Sequence, residues 1–351
     1  MTLLPETPLA RRPTIAHLAQ AADVSIATVD RVLNKRHPVR EETARRVLAA
    51  AEEIGFHAAA LIKQRLDPDA PERSFGFVLQ KETNYFYQAL AAALQKASRS
   101  APGVRGRAIV SFAAELTPAA VLDKLAQVSR RADALAIVSV DHPSISQAVD
   151  ELRERGIATF GLLTSLAAPA RAGYVGIDNR KAGRMAAWTI ARTARRSGEV
   201  GLLVGSHRYL GQEMREIGFR SYFREHAPSF RVLETLVNLE EPRIAYEATL
   251  DFLQKHPGLA GIYVAGGGME GVVAALRDEG RAGSLSVVVP EMTPESRSAL
   301  VDDIVTLVIG TPLQLLAQKT VEAMSRAIDG GAAEAPGQLF LPYDIYTSEN
   351  L

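Results

Sequence analysis

The fold of the N-terminal part is decided by the stretch Thr14-Ile15-Ala16-His17-Leu18-Ala19-Gln20-Ala21-Ala22-Asp23-Val24-Ser25-Ile26-Ala27-Thr28-Val29-Asp30-Arg31-Val32-Leu33-Asn34. Its apolar residues recur at helical spacing in two blocks, and Thr14 and Ser25 stand where N-caps belong. Asp23 falls between the blocks, where a short polar side chain tolerates a left-handed backbone. The pattern predicts a helix-turn-helix, whose second helix is built to enter the major groove of DNA.

The charge of this stretch and its flanks differs from that of the whole chain. The 351 residues include 40 Lys and Arg and 40 Asp and Glu, so the formal net charge is zero. Between Arg11 and Arg46, however, eight basic residues stand against four acidic ones. A local basic excess favours contact with DNA phosphates, whereas a uniformly basic nucleic-acid-binding surface is not expected.

Composition limits the remaining possibilities. The length predicts two or three domains, and a chain with 47% hydrophobic residues can bury a large core. The absence of cysteine excludes disulfides and thiolate metal sites. The histidines show no metal-ligand spacing, and no cofactor is expected. Because neither a signal-peptide pattern nor a membrane-length apolar run occurs, we expect a soluble, cytoplasmic protein without membrane contact.

A third helix follows a basic turn that contains Lys35. It is predicted to begin at about Arg40 and to run to about Ile54, with Gly55 ending it. The three helices together carry the pattern Thr14-Ile15…Leu18-Ala19…Val24-Ser25-x-x-Thr28-Val29-x-Arg31-Val32-Leu33-Asn34…Val39-Arg40-Glu41-Glu42-Thr43…Val47-Leu48-x-Ala50-Ala51-x-x-Ile54-Gly55-Phe56. This pattern resembles the DNA-binding headpiece of the lac repressor family of bacterial transcription regulators.

The resemblance implies roles for individual residues. Ile26, Ala27 and Arg31 would face base edges, with Arg31 able to contact guanine in a bidentate manner. Residues expected to contact phosphate or to complete the DNA-binding surface are Thr14, Ser25, Thr28, Asn34 and Lys35. The alternatives are that Thr14 and Ser25 only cap helices and that Arg31 is a solvated charge.

Two segments flank this headpiece, which we place at residues 13–56. Residues 1–12 contain two prolines without periodicity and are predicted to form a disordered arm. Residues 57–73 are predicted to be a hinge helix and linker. By resemblance to the family, the hinge helix would push a leucine into the minor groove, and we assign this role to Leu66, with Leu61 as the alternative.

From Ser74 to the C-terminus, strand and helix patterns alternate, which predicts parallel sheets with crossover helices. The number of elements favours two doubly wound α/β subdomains within residues 74–351. The predicted strands are Phe75–Leu79, Arg107–Phe112, Ala134–Val140, Ala158–Leu162, Tyr174–Ile177, Val200–Val204, Val232–Leu236, Gly261–Ala265, Ser286–Val289 and Ile304–Ile309.

Ligands of such folds bind beyond the carboxyl ends of the strands, where aromatic, carboxylate and Arg side chains suit a sugar-like molecule. The sequences Val175-Gly176-Ile177-Asp178-Asn179-x-x-Ala182-Gly183 and Arg215-x-x-Gly218-Phe219 resemble the effector domain of the same family, which shares its fold with periplasmic sugar-binding proteins. This resemblance implies that the effector is contacted by Asn84, Phe86, Tyr87, Asp141, Arg215 and Glu291. Asp178 is expected to be structural, and Gly266–Gly268 to form a tight turn rather than a phosphate loop.

The sequence therefore predicts a homodimeric regulator, a repressor by resemblance, that binds a near-palindromic double-stranded operator under the control of a carbohydrate effector. The alternative is a solute-binding protein of a sugar transport system, which shares the C-terminal fold. An enzyme is not expected, because the chain has no nucleophile elbow, no Lys-Ser or Lys-Thr phosphate loop and no Gly-x-Gly-x-x-Gly after a strand.

Overall fold

The computed structural model describes residues 13–34, 39–66, 69–331, 335 and 337–351. The predicted arm at residues 1–12 and Lys35, which is predicted to contact DNA, lie outside this set. The chain divides into two compact units, Met1–Arg73 with Arg99–Gly106, and Ser74–Ser98 with Arg107–Leu351. Among the described residues, no helix has both the length and the apolar character needed to cross a membrane.

In the described part of the first unit there are four helices: α1 (Ile15–Ala21), α2 (Ile26–Asn34), α3 (Glu41–Glu53) and α4 (Ala59–Leu66). The hydroxyl of Thr14 accepts a hydrogen bond from the backbone N–H of His17, so Thr14 caps α1. Asp23 has a φ of 51°, the left-handed conformation expected of the turn residue. The predicted helix-turn-helix is confirmed, and the third helix begins and ends within one residue of its predicted bounds.

A small core holds these helices together. Leu18 of α1, Val29 of α2, Val47 of α3 and Ile62 of α4 are completely buried. They belong to one cluster with neighbouring alanines and Phe56. Because every helix contributes to this cluster, the apolar face of α2 is fixed inward and its opposite face is left on the surface.

The second unit consists of two lobes, each built on one sheet. The sheet of the first lobe has the order β12-β5-β4-β3-β1-β2. Its strands are β1 (Glu72–Gln80), β2 (Arg105–Ala113), β3 (Ala134–Ile137), β4 (Ala158–Leu162), β5 (Gly173–Ile177) and β12 (Gly337–Leu341). The helices of this lobe are α5 (Tyr85–Ser100), α6 (Pro118–Val128), α7 (Pro143–Glu154) and α13 (Leu313–Gly330).

The sheet of the second lobe has the order β13-β11-β10-β9-β6-β7, with β8 also paired to β6. Its strands are β6 (Glu199–Val204), β7 (Arg231–Val232), β8 (Leu236–Val237), β9 (Leu259–Val264), β10 (Ser286–Pro290), β11 (Leu307–Gly310) and β13 (Asp344–Tyr346). Its helices are α8 (Asn179–Thr193), α9 (Leu210–His226), α10 (Pro242–Lys255), α11 (Met269–Asp278) and α12 (Pro294–Val301). One apolar cluster lies on each face of this sheet.

The predicted doubly wound architecture with two subdomains is confirmed. The pairs β1–β3, β3–β4 and β4–β5 are parallel in the first lobe, as are β6–β9, β9–β10 and β10–β11 in the second. Only β13 runs antiparallel to its neighbour β11 among the pairs described. The chain passes between the lobes from β5 to α8, from β11 to α13 and from β12 to β13.

Several predicted strand bounds were wrong. The strand predicted at Ala134–Val140 ends at Ile137, where the side-chain amide of Gln80 donates to the carbonyl of Val138. The strand predicted at Val232–Leu236 is two separate two-residue strands, β7 and β8. The strand predicted at Ile304–Ile309 begins only at Leu307, after a turn. Strands β12 and β13 and helix α12 were not predicted, since β12 is largely exposed and lacks an apolar alternation.

Helices α8 and α9 pack so closely that two glycines are required between them. A Cβ added at Gly183 would lie 1.9 Å from the backbone oxygen of Arg215, and one added at Gly218 would lie 2.1 Å from that of Arg180. Both glycines belong to the two motifs noted in the sequence. The motifs are therefore the two halves of a single helix–helix contact.

We predict that Gly183→Ala lowers the free energy of unfolding by roughly 1–3 kcal/mol, because the added methyl group forces α8 and α9 apart. Urea denaturation followed by circular dichroism measures the change. The matched control is Gly258→Ala, where an added Cβ has no atom within 4 Å. Equal stability of the two variants would contradict the proposed constraint.

Candidate DNA-contacting face and ligand cavity

The outer face of α2 carries the residues predicted to read DNA. Ile26, Ala27, Arg31 and Asn34 are exposed, and 57% of Ile26 is open to solvent, although it is a large apolar residue. Ala27, Arg31 and Asn34 recur at helical spacing on the side away from Val29 and form one continuous face. Ile26 borders this face in the first turn of the helix. An apolar exposed side chain beside an arginine is suited to contact both thymine methyl groups and guanine.

The polar residues around this face already have local partners. Ser25 accepts a hydrogen bond from the backbone N–H of Thr28 at 3.1 Å, and the two hydroxyls lie 2.9 Å apart. The amide of Asn34 donates to Asp30 at 2.7 Å. Thr14 and Ser25 thus act as caps, and their predicted phosphate contacts remain predictions.

The two candidates for the minor-groove wedge differ in exposure. Leu66, the residue assigned this role, is half-buried and packs against the core of the first unit. Leu61, the alternative, is 40% exposed. Leu61 is therefore the more exposed of the two, and the wedge role of either leucine remains a prediction.

A cavity lies in the second unit, between the loops that follow the carboxyl ends of strands from both sheets. Its empty volume is about 760 Å³, a figure that includes its opening to solvent. Five of the six predicted effector residues line it: Asn84, Phe86, Tyr87, Arg215 and Glu291. The cavity beyond the carboxyl ends of the strands therefore brings together side chains that are far apart in the sequence.

Asp141 is the predicted effector residue that does not line this cavity. Its carboxylate accepts a hydrogen bond from the backbone N–H of Ala167 at 3.0 Å. Because β3 ends at Ile137, the cavity is lined at this point by Val138, three residues earlier than predicted.

Arg215 is held at the junction of the two lobes. Its Nε donates to the side-chain oxygen of Asn179 at 2.7 Å, and its Nη1 donates to the backbone oxygen of Ala265 at 3.1 Å. The Asn179 amide in turn donates to the oxygen of Leu163 and to the hydroxyl of Tyr174, both at 3.1 Å. This network fixes the guanidinium against the cavity before any ligand arrives.

Glu291 occupies a strained position with a φ of 61° directly after β10. Its carboxylate accepts hydrogen bonds from the backbone N–H of Thr311 at 2.8 Å and from the Thr311 hydroxyl at 2.7 Å. Burial raises the pKa of Glu291, and the charge of Arg215 opposes this rise.

Sequence reasoning missed a second buried carboxylate, Glu240. Its Oε1 accepts a hydrogen bond from the amide of Gln212 at 2.7 Å, and the backbone N–H of Gly267 lies 3.3 Å away. Burial raises the pKa of Glu240. Gly266 and Gly267 lack a Cβ where one would collide with Gln212 and Glu240, so the Gly266–Gly268 turn makes room for these side chains.

Tyr87 and Tyr209 add two buried aromatic rings to the cavity wall. The hydroxyl of Tyr209 is inaccessible to solvent and has no hydrogen-bond partner among the described residues. Desolvation by burial raises the pKa of both tyrosines, and the nearby charge of Glu240 raises it further. Their hydroxyls are therefore protonated and can donate hydrogen bonds. No cluster of acidic residues and histidines suited to a metal ion occurs in the described parts of the chain.

Two family models match the chain. Residues 14–58 match the bacterial regulatory proteins of the lacI family, and residues 75–332 match the periplasmic binding protein domain. The chain belongs to the family of the periplasmic binding protein domain, and it carries a lacI-family helix-turn-helix domain in front of it.

One curated relative and several solved structures resemble parts of the chain. An uncharacterized HTH-type transcriptional regulator in the aml 5' region of Streptomyces limosus is 29% identical over 219 residues, which span 61% of this chain and 58% of that relative. A solute-binding protein from Actinobacillus succinogenes with bound D-allose covers 79% of this chain and 98% of its own, with a TM-score of 0.71 and 19% identity. A solute-binding protein from Agrobacterium vitis bound with alpha-D-tagatopyranose covers 79% of this chain and 95% of its own, with a TM-score of 0.73 and 20% identity. At these identities the solved structures show the fold alone.

We predict that Glu240→Gln changes how stability depends on pH. Because burial raises the pKa of Glu240 in the folded state, that state binds more protons than the unfolded state, and stability falls as pH rises through the raised pKa. The free energy of unfolding of the variant, relative to the wild type, should therefore increase from acidic to neutral pH. Urea denaturation across this range measures it.

The control for this prediction is Glu213→Gln, a change at an exposed residue of helix α9. Its free energy of unfolding should follow that of the wild type at every pH. If the free energies of unfolding of Glu240→Gln and of the wild type change with pH in parallel, burial does not raise the pKa of this carboxylate as we infer.

Proposed function

We propose that this chain is a sequence-specific DNA-binding transcription regulator, a repressor, whose affinity for its operator is controlled by a small sugar-like effector. The observation that carries the proposal is the presence in one chain of a lacI-family domain and a periplasmic binding protein domain with a polar cavity. The first supplies a reader of DNA, and the second supplies a sensor.

The DNA-binding part of the proposal rests on α2. Its exposed face would lie in the major groove, with Ile26 and Ala27 against bases and Arg31 donating to guanine. Thr14, Ser25, Thr28, Asn34 and Lys35 would contribute the contacts that set register on the phosphate backbone. Since one headpiece spans only a half-site, we propose a homodimer on a near-palindromic operator.

The effector part rests on the chemistry of the cavity. Arg215, Asn84, Glu240 and Glu291 offer both donors and acceptors, and Phe86 offers an aromatic face. This combination suits a ring that carries several hydroxyl groups. Two solved relatives of the same fold are described with bound D-allose and alpha-D-tagatopyranose, which supports a carbohydrate. The proposal involves binding only and no catalytic step.

Effector control requires that the ligand favour one arrangement of the lobes over another. Lys81, which follows β1 of the first lobe, donates to the backbone oxygens of Leu239 and Glu240 in the second lobe at 3.0 and 3.2 Å. The backbone of Glu240 is thus tied to the opposite lobe, while its side chain lines the cavity. We propose that a ligand touching Glu240 acts on this bridge and thereby changes operator affinity.

A second candidate function is solute binding for sugar transport. The resemblance to solute-binding proteins favours it, whereas the lacI-family domain at residues 14–58 favours the regulator. A mobility-shift assay with DNA from the protein's own upstream region distinguishes the two. A shift that survives competition by random DNA at moderate salt supports the regulator. No preference over random DNA, with sugars also tested as corepressors, would refute it.

We predict that Arg31→Ala reduces operator affinity by roughly 1–3 kcal/mol and relaxes specificity at one base pair of each half-site, because a bidentate contact to guanine is lost. The matched control is Arg45→Ala on α3, which removes an exposed arginine paired with Glu41. Full sequence discrimination by Arg31→Ala in a competition mobility-shift assay would show that α2 is not the reading helix as assigned.

A further inference from the structure

A second cavity adjoins the ligand cavity and shares Phe86 and Glu291 with it. Its empty volume, about 830 Å³ including its opening, is comparable to that of the first. We call it the outer cavity, and its remaining lining residues come from the segment 310–315, from Met292 and from strand β13. None of these remaining residues was among the predicted effector contacts.

The boundary between the cavities is rigid on one side. Glu291 is fixed there by its two hydrogen bonds to Thr311, so its carboxylate does not depend on a ligand for its position. Phe86 also lines both cavities, and its ring meets that of Tyr87 edge to face, with centroids 5.3 Å apart. A ligand that extends from one cavity into the other would therefore pass beside a carboxylate and an aromatic ring.

The outer cavity is mainly apolar with a few polar groups. Met292, Pro312, Leu313, Leu315 and the ring of Tyr346 provide the apolar surface. Asp344 is positioned by a hydrogen bond of 3.2 Å from the Tyr346 hydroxyl. An apolar wall with isolated hydrogen-bonding groups suits a ring that has a hydrocarbon face and hydroxyl groups at its edge.

The charges of the two cavities restrict the ligand further. Of the described residues that line them, Glu240, Glu270, Glu291 and Asp344 carry carboxylates, and Arg215 carries the only guanidinium or ammonium group. Arg215 is already engaged by Asn179 and Ala265. A sugar acid or sugar phosphate would add a negative charge to this set and be repelled, so a neutral ligand is favoured.

We propose that the outer cavity is a second sugar subsite and that the effector is a neutral disaccharide, with one ring in each cavity and the linkage beside Phe86 and Glu291. This inference rests on the proposed effector function of the first cavity. The second ring would contact Pro312, in the connection from β11 to α13 that joins the lobes. The presence of a second ring in the ligand would therefore affect how the two lobes are arranged.

Isothermal titration of the full chain with maltose, cellobiose, lactose and melibiose, and with glucose and galactose, tests the proposal. At least one disaccharide should bind ten-fold or more tightly than each of its monosaccharides. Glucuronate and glucose 6-phosphate should bind more weakly than glucose. If no disaccharide in this set binds more tightly than its monosaccharides, the proposal is overturned.

Two variants test whether the second sugar ring binds in the outer cavity. Leu313→Trp fills the outer cavity, and Gln314→Trp does so from an exposed position that leaves the core untouched. Each should weaken disaccharide binding at least ten-fold and leave monosaccharide binding within two-fold. The matched control is Gln318→Trp, one turn further along α13 and outside the lining, which should change neither. Equal loss of both ligand classes in Gln314→Trp would overturn the subsite.

The operator assay separates this inference from the proposed function. If the chain binds its operator specifically but prefers monosaccharides, the second subsite is overturned and the proposed regulator function is still supported. A disaccharide preference that Leu313→Trp or Gln314→Trp abolishes, in a chain without operator preference, supports the subsite and refutes the regulator.

Discussion

The close contact between α8 and α9 is the constraint on which the ligand cavity depends. Gly183 and Gly218 allow each helix to touch the backbone of the other. This contact sets the position of Arg215, whose backbone lies against Gly183 and whose guanidinium bonds to Asn179 at the first turn of α8. A side chain larger than hydrogen at either glycine would move the one cation of the described cavity lining. Packing and ligand recognition thus share the same few residues.

Several buried polar groups of the cavity lie around Arg215. Glu240 and Glu291 are both desolvated, yet each carboxylate accepts two hydrogen bonds from neighbouring residues. These bonds reduce the cost of burial without removing it, which is why the pKa of both groups remains raised. A ligand hydroxyl that donates to either carboxylate would recover part of this cost. The polar groups of the site are therefore already in place for the polyhydroxylated ligand that we propose.

The sequence predicted what depends on local rules and on fold topology. Caps and apolar spacing were sufficient for α1 and α2, and the left-handed turn at Asp23 follows from its side chain. The strand-end rule indicated the loops to inspect, and the family resemblance indicated Phe86, Arg215 and Glu291, which line one cavity. Glu240 was missed because it follows a strand of only two residues, which has no alternation to detect. Asp141 lies outside this cavity lining because β3 ends at Ile137 and not at Val140, a difference that no local pattern encodes.

The residues that escaped sequence reasoning are those that connect the lobes. Lys81 has a backbone φ of 33° and directs its ammonium group to Leu239, Glu240 and the carboxylate of Glu241. Leu239 and Glu240 also have positive φ values, so this bridge joins strained segments on both sides. Strain of this kind persists only while surrounding contacts hold it. Under the proposed function, a ligand that contacts Glu240 would favour the bridged arrangement by its own binding energy, and such a difference in affinity is what a ligand-controlled switch requires.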